Sequence, residues 1–147
     1  MCGIAGAYYY HQPSAEISKT VSAAIAQLSK RGPDSNGYAY DYPALLVHTR
    51  LAIIDTSNAA SQPFTDITGR YTIVFNGEIF NYKELKQELI LKGIQFKSQS
   101  DTEVLLYLYI TYGKDCLSKL NGFFAFAVYD KQERKLFIAR DRYGVKP

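Results

Sequence analysis

Two apolar runs, Phe123–Tyr129 and Leu136–Arg140, flank the wholly polar stretch Asp130–Lys135. Aliphatic, aromatic and β-branched runs joined by a short polar turn form an antiparallel hairpin. Further strands are expected over Gly37–Tyr42, Ala44–Ile54 and Tyr71–Ile79, short runs separated by turn formers, and a buried strand over Cys2–Tyr10. The strands do not alternate regularly with helices, so antiparallel pairing is favoured and the fold class is a layered α+β arrangement.

Helices are expected in three places. The first covers Ala15–Lys30, with Ser14 as its N-cap and Arg31-Gly32-Pro33 as its stop. Ile17, Val21, Ala24, Ile25 and Leu28 share one of its faces. The second begins near Asn81, whose spacing to Glu84 resembles a capping box, and ends at Gly93. The third begins at the box formed by Ser100 and Glu103 and runs to Tyr112-Gly113.

Composition removes several classes of function. The 147 residues fit one domain. Seventeen Lys+Arg against fourteen Asp+Glu leave +3, with no run of five basic residues, so a nucleic-acid partner is not expected. At 47% hydrophobic and 21% charged the chain has the means to build a core. No apolar run approaches the roughly 18 residues of a membrane span. The first residues lack the basic region of a secretory signal, so the expected location is the cytoplasm, with both cysteines reduced. Two cysteines and the widely separated His11 and His48 offer no zinc spacing, and no glycine-rich phosphate loop is present. No metal or cofactor is therefore expected in this segment.

Four short segments can carry chemistry. Removal of Met1 would put the Cys2 thiol and a free α-amino group on one residue. Such an amine, with a pKa of about 7.7–8.0, can accept the thiol proton. That is the nucleophile-plus-base arrangement of an N-terminal nucleophile. Cys2 also fits as a small apolar residue in an edge strand. Arg50 lies in the otherwise apolar run His48–Asp55, where an unpaired guanidinium is costly. Its partner is either a substrate carboxylate, which suits its fork, or an internal acid, unless the position faces outward. Asn76-Gly77 is a hairpin-turn signal, but Glu78-Ile79-Phe80 is a poor polar exit from a turn. The alternative points the Asn76 amide and the Gly77 N–H into a cleft, as an oxyanion hole. The segment Ser100–Glu103 caps a helix, and a carboxylate there also suits a substrate ammonium. Cys116 reads as a core residue.

In order along the chain, Met1-Cys2-Gly3-Ile4, Arg31-Gly32-Pro33-Asp34, His48-Thr49-Arg50-Leu51, Asn76-Gly77-Glu78 and Ser100-Asp101-Thr102-Glu103 resemble the glutaminase domain of class II glutamine amidotransferases. Leu51–Asp55, Gln62-Pro63-Phe64, Asn76–Tyr82 and Ala139–Pro147 are most similar to the glutamine-hydrolysing asparagine synthetase group. The resemblance covers essentially the whole chain. It implies the N-terminal-nucleophile hydrolase fold, a four-layer αββα sandwich of antiparallel sheets. It also implies a C-terminal truncation, because the family's glutaminase domain continues with more strand.

The resemblance assigns roles as well. Cys2 attacks the glutamine amide carbon. Asn76 and the Gly77 N–H stabilise the oxyanions. Arg50 holds the α-carboxylate, and Glu78 and Asp101 hold the α-ammonium. Backbone groups of Leu51, Ile53 and Ile54 line the pocket, and Arg31–Asp34 is a structural turn beside the nucleophile. In the family, ammonia passes to a C-terminal synthetase domain that uses ATP and magnesium to convert aspartate into asparagine. That domain is absent from these residues. Glutamine, the synthetase domain and a second copy of the chain are the expected partners. The competing readings are a class II amidotransferase with another acceptor, and a catalytically silent binding or regulatory fragment.

Overall fold

The computed structural model describes residues 2–13, 16–51 and 60–147. Strands β1 (Gly3–Tyr8), β2 (Ser35–Asp41) and β3 (Ala44–Arg50) form an antiparallel sheet in the order β1-β3-β2. Strands β4 (Phe64–Thr65), β5 (Tyr71–Ile79), β6 (Gly122–Asp130) and β7 (Lys135–Arg140) form a second one, in the order β4-β5-β6-β7. The helices are α1 (Ile17–Leu28), α2 (Tyr82–Leu91) and α3 (Asp101–Tyr112), with a 3₁₀ helix over Gly113–Lys119.

Side-chain alternation sorts these elements into layers. Leu45 and Val47 of β3 pack against Val21, Ile17, Ala24 and Ile25 of α1. Their neighbours Ala44 and Leu46 point the other way and meet Val74, Ala127 and Tyr129 of the second sheet. The far face of that sheet, with Ile73, Phe75, Phe124, Phe126 and Val128, is covered by Leu85 and Leu89 of α2 and Val104, Leu105 and Leu108 of α3. The order is helix, sheet, sheet, helices, the αββα sandwich expected from the resemblance. Cys116 is buried in the 3₁₀ helix, and burial pushes its thiol up to about 11. It is a core residue. Among the described residues no helix is long and apolar enough to cross a membrane.

The expected capping differs in detail. Helix α1 is preceded by Glu16, which makes no side-chain cap, and the proposed cap Ser14 lies outside the described residues. Asn81 does not cap α2. Its Nδ2 donates to the Lys119 carbonyl (2.9 Å) and its Oδ1 accepts the Asn121 N–H (3.0 Å), so the amide instead ties the start of α2 to the entry of β6. Gly93 ends α2 as foreseen. At φ 91° it donates to Ile90 O while Ile94 donates to Leu89 O, a Schellman closure. Ser100 does cap α3, accepting the Thr102 N–H at 3.1 Å. The reciprocal half of the box is missing, because the fully buried Glu103 accepts from Lys97 N–H, Ser98 N–H and the Ser98 hydroxyl. Its carboxylate organises the loop before the helix.

After β7 the chain wraps around one acid. Asp141 is buried and accepts N–H groups from Phe124, Tyr143, Val145 and Lys146, at 3.0–3.2 Å. Burial raises its pKa, but these donors outweigh that and hold it below the usual carboxylate range. Arg140 closes the same loop by donating to the carbonyls of Gly144 and Lys146, both at 2.6 Å.

Candidate active site

The predicted residues converge at one end of the gap between the sheets. Ile4, Leu46 and Val74 face that gap. Two-residue periodicity then aims Cys2 on the β1 side, His48 and Arg50 on β3, and Asn76 and Glu78 on β5 into it as well. The pairing of Gly3 with Thr49 brings Cys2 beside the end of β3. Its Sγ lies 3.4 Å from the Leu51 nitrogen and accepts that N–H. Ile53 and Ile54, the other pocket residues expected on this segment, lie outside the described residues.

Cys2 is held through its backbone too. Arg31 Nε donates to the Cys2 carbonyl at 3.2 Å. The turn carrying Arg31 presses on β3, since a Cβ on Gly32 would collide with the Thr49–Arg50 peptide. Only glycine admits that approach. The Asp34 N–H donates to the Arg50 carbonyl at 3.0 Å, so the turn also fixes the backbone under the guanidinium. The Arg31–Asp34 turn therefore supports the site from behind.

Asn76-Gly77 is not a turn. Both residues lie inside β5, opposite Ala125 and Phe124. Gly77 is small for a packing reason, because a Cβ there would strike the Phe123 carbonyl and Phe124 Cα. The N–H and C=O of Phe124 turn away from β5 to Asp141. Gly77 thus belongs to a non-hydrogen-bonded pair, and its own N–H points to the opposite edge of β5. The N–H groups of Phe75, Gly77 and Ile79 share that edge. Gln62 Oε1 accepts the first at 2.6 Å, and Asp101 Oδ2 accepts the third at 3.1 Å. Among the described residues no side chain takes the middle one, from Gly77. The strand thus presents a donor between two fixed points, next to the Asn76 amide.

Electrostatics divide the site. Asp101, in the first turn of α3, is 5% exposed. Burial raises its carboxyl to about 6; backbone N–H groups of Ile79 and Thr102 oppose the rise and the charge of Glu78 adds to it. Two neighbouring acids, one half-ionised near pH 6, are suited to a cation. Arg50 at the end of β3 is buried and supplies the positive charge. His48 is fully buried beneath it, near the Phe75 backbone but without hydrogen-bond geometry, and neither ring nitrogen has a partner among the described residues. Burial is the main cause that lowers its pKa to about 4, with the Phe75 backbone opposing and the Arg50 charge reinforcing. His48 is neutral at pH 7. The arrangement offers a thiol, an amide side chain and a backbone N–H donor on β5, a buried guanidinium and two neighbouring acids.

Residues 1–147 match the family described as "Glutamine amidotransferase domain". The chain belongs to this family. As a glutamine amidotransferase domain it is 43% identical over 148 residues to asparagine synthetase [glutamine-hydrolyzing] 3 of Bacillus subtilis, covering 100% of this chain and 24% of that protein. Identity to asparagine synthetase [glutamine-hydrolyzing] 1 of the same organism is 42%, over 100% of the chain and 23% of the relative. The chain spans about a quarter of the length of these relatives, over their glutaminase part. A solved structure of glutamine phosphoribosylpyrophosphate amidotransferase from B. subtilis superimposes with a TM-score of 0.60 at 30% identity, covering 71% of this chain and 24% of that one. The fold of this amidotransferase domain is that of the N-terminal-nucleophile enzymes.

Gln62 and His48 were given no role from the sequence, whereas the Arg31–Asp34 turn lies beside Cys2 as the resemblance implied. Gln62 sits next to a proline in a segment without periodicity, and its amide partners lie 13 and 40 residues away. A buried, neutral histidine in an apolar strand looks like any other core position. The parity of His48 and Arg50 was the available signal, since both lie on the face that carries Ala44 and Leu46.

Proposed function

We propose that this domain hydrolyses glutamine at Cys2 and delivers ammonia to an acceptor domain. The observation that carries the reading is the edge of β5, where the Gly77 N–H stands between the Gln62 and Asp101 anchors, beside the Asn76 side chain that strand alternation aims into the gap shared with Cys2 and Arg50. Removal of Met1 exposes the Cys2 amine. That amine takes the thiol proton, and Sγ attacks the glutamine amide carbon. The oxyanion that forms is stabilised by Asn76 and Gly77. Collapse of this intermediate breaks the C–N bond, and the amine's proton leaves with ammonia. Water then attacks the γ-glutamyl thioester through a second oxyanion. Its proton returns Cys2 to the thiol, and glutamate departs. Arg50 grips the α-carboxylate, while Asp101 and Glu78 grip the α-ammonium.

The identity to asparagine synthetases supports aspartate as the acceptor, in a synthetase domain using ATP and magnesium. The cysteines are unpaired, which fits a cytoplasmic setting. A homodimer is proposed from the family resemblance, and sedimentation of the protein tests it.

Intact mass spectrometry with a diazo-ketone glutamine analogue tests the glutaminase reading. The reagent loses N₂ as the thiolate carbon–sulfur bond forms. Loss of Met1 and one adduct mapped to Cys2 is the expected result. A chain processed to Cys2 that gains no adduct, or gains it on Cys116, removes Cys2 from the role. That outcome would favour a silent binding module.

A further inference from the structure

We propose that Gln62 is a positioning residue that sets the spacing between the oxyanion donors and the ammonium site. The inference rests on the roles proposed above for Asn76, Gly77 and Asp101.

In the β4–β5 ladder Phe64 lies opposite Ile73, which puts Gln62 in register with Phe75. The β4–β5 ladder ends at Phe64. The Gln62 side chain continues the ladder where the backbone leaves it. Its Oε1 accepts the Phe75 N–H at 2.6 Å, as a strand carbonyl would. That bond also fixes the amide's orientation, because a backbone N–H is only a donor. Nε2 must then point the other way, and it donates to Thr102 Oγ1 at 3.1 Å. Thr102 is the neighbour of Asp101, and Phe75 is the neighbour of Asn76. One planar amide thus spans from the strand of the oxyanion donors to the helix turn of the ammonium site.

The Gln62 backbone reaches the other sheet. A Cβ on Gly37 of β2 would come within 2.7 Å of the Gln62 carbonyl oxygen. Gly37 pairs with His48, two residues before Arg50. Gln62 therefore touches β5 beside Asn76, the first turn of α3 beside Asp101 and, through Gly37, the strand paired with His48. The departure of β4 has a second effect. A backbone strand carried past Gln62 would pair with β5 at Gly77 and cover its N–H. A side chain in place of the strand closes one rung and, among the described residues, leaves the next one open.

The test is glutamate release by the protein, with kcat expressed per Cys2 titrated by the diazo-ketone reagent. Gln62→Met keeps length and loses both bonds. We expect kcat to fall about 10-fold and KM for glutamine to rise several-fold, as misplacement of a preorganised site predicts. Thr102→Val breaks only the link to the helix and should raise KM more than it lowers kcat, and Thr102→Ser should restore both. The double variant should be no worse than Gln62→Met. Unchanged kcat and KM per titrated site in Gln62→Met, whatever the melting temperature, would overturn the proposal, as would additive losses in the double variant. If Gln62→Met fails to fold, the Thr102 pair decides, and equal kinetics in the valine and serine variants would overturn it. Asn76→Ala serves as the control in the same assay. Full activity there refutes the oxyanion role itself, separately from the behaviour of Gln62.

Discussion

Asp101 accepts the N–H of Ile79 at 3.1 Å, which fastens the first turn of α3 to the last residue of β5. The bond satisfies a strand-end donor with the same carboxylate to which the proposed function gives the substrate ammonium. Its cost is dehydration, which raises the carboxyl to about 6, with the Glu78 charge adding to the rise.

Glutamine affinity should therefore depend on pH through Asp101. Only the ionised form attracts an ammonium, so affinity should be flat above the pKa of about 6 and fall below it, by about tenfold per pH unit. Binding at pH 5 should release a proton, measured as a buffer-dependent heat in calorimetry. In Asp101→Asn the affinity should be weaker and the pH dependence lost. An affinity independent of pH between about 4.5 and 7 would contradict the assignment.

Folding stability carries two opposite pH terms from this end of the gap. His48 has a folded pKa of about 4, below its unfolded value of 6.5, so it destabilises the fold as pH drops from 6.5 towards 4. Asp101 has a folded value of about 6, above its unfolded 3.8, so the folded state gains relative stability as pH drops through 6 towards 3.8. Each spans roughly 3 kcal/mol, and around pH 5 they offset each other. His48→Gln should make the protein gain stability, relative to wild type, on acidification from about 6.5 to 4, and Asp101→Asn should make it lose stability between about 6 and 4. Urea melts of both variants across that range check the signs.

Asn76→Ala should lower kcat by about 10²–10³ with a small change in KM, because the oxyanion exists only along the reaction path. Gly77→Ala should behave differently. Its Cβ has to displace the Phe123 carbonyl, so a loss of about 1–3 kcal/mol in stability should accompany the fall in activity. Steady-state kinetics beside thermal melts separate the two. A pure affinity defect in Asn76→Ala would argue for a role in the ground state.

Arg50→Lys should act on binding. Replacing a fork by a point charge loses one charge-assisted hydrogen bond to the α-carboxylate, so KM should rise about 10–100-fold while kcat changes little. An unchanged KM would place the carboxylate elsewhere.

The strands and helices were legible in short periodicities, while the four-layer order and the grouping of the site residues came from the family resemblance. Tyr71–Ile79 is a strand with the bounds its apolar run suggests, and Cys2, Arg50 and Asn76 face one gap because side chains alternate. The capping signals at Asn81 and Glu103 misled for a shared reason. A local rule considers only neighbours along the chain, whereas the Asn81 amide was taken by Lys119 and Asn121 from beyond α3. Glu103 was claimed by the loop before its own helix. The Asn-Gly signal failed because tight packing against β6, not a positive φ, demands glycine at position 77. Gln62 had no local signature, since its partners come from a strand and a helix that are brought together only in the folded molecule.

The loop after β7 is held by the Asp141 carboxylate through main-chain donors, and Arg140 grips main-chain oxygens. Arg142, Tyr143 and Val145 stand exposed on that frame, and the last two lend it only their backbone N–H groups. Shape and display are thereby uncoupled. Selection can rewrite what this corner shows to a neighbour at those three positions, while a change at Asp141 would unmake the corner itself.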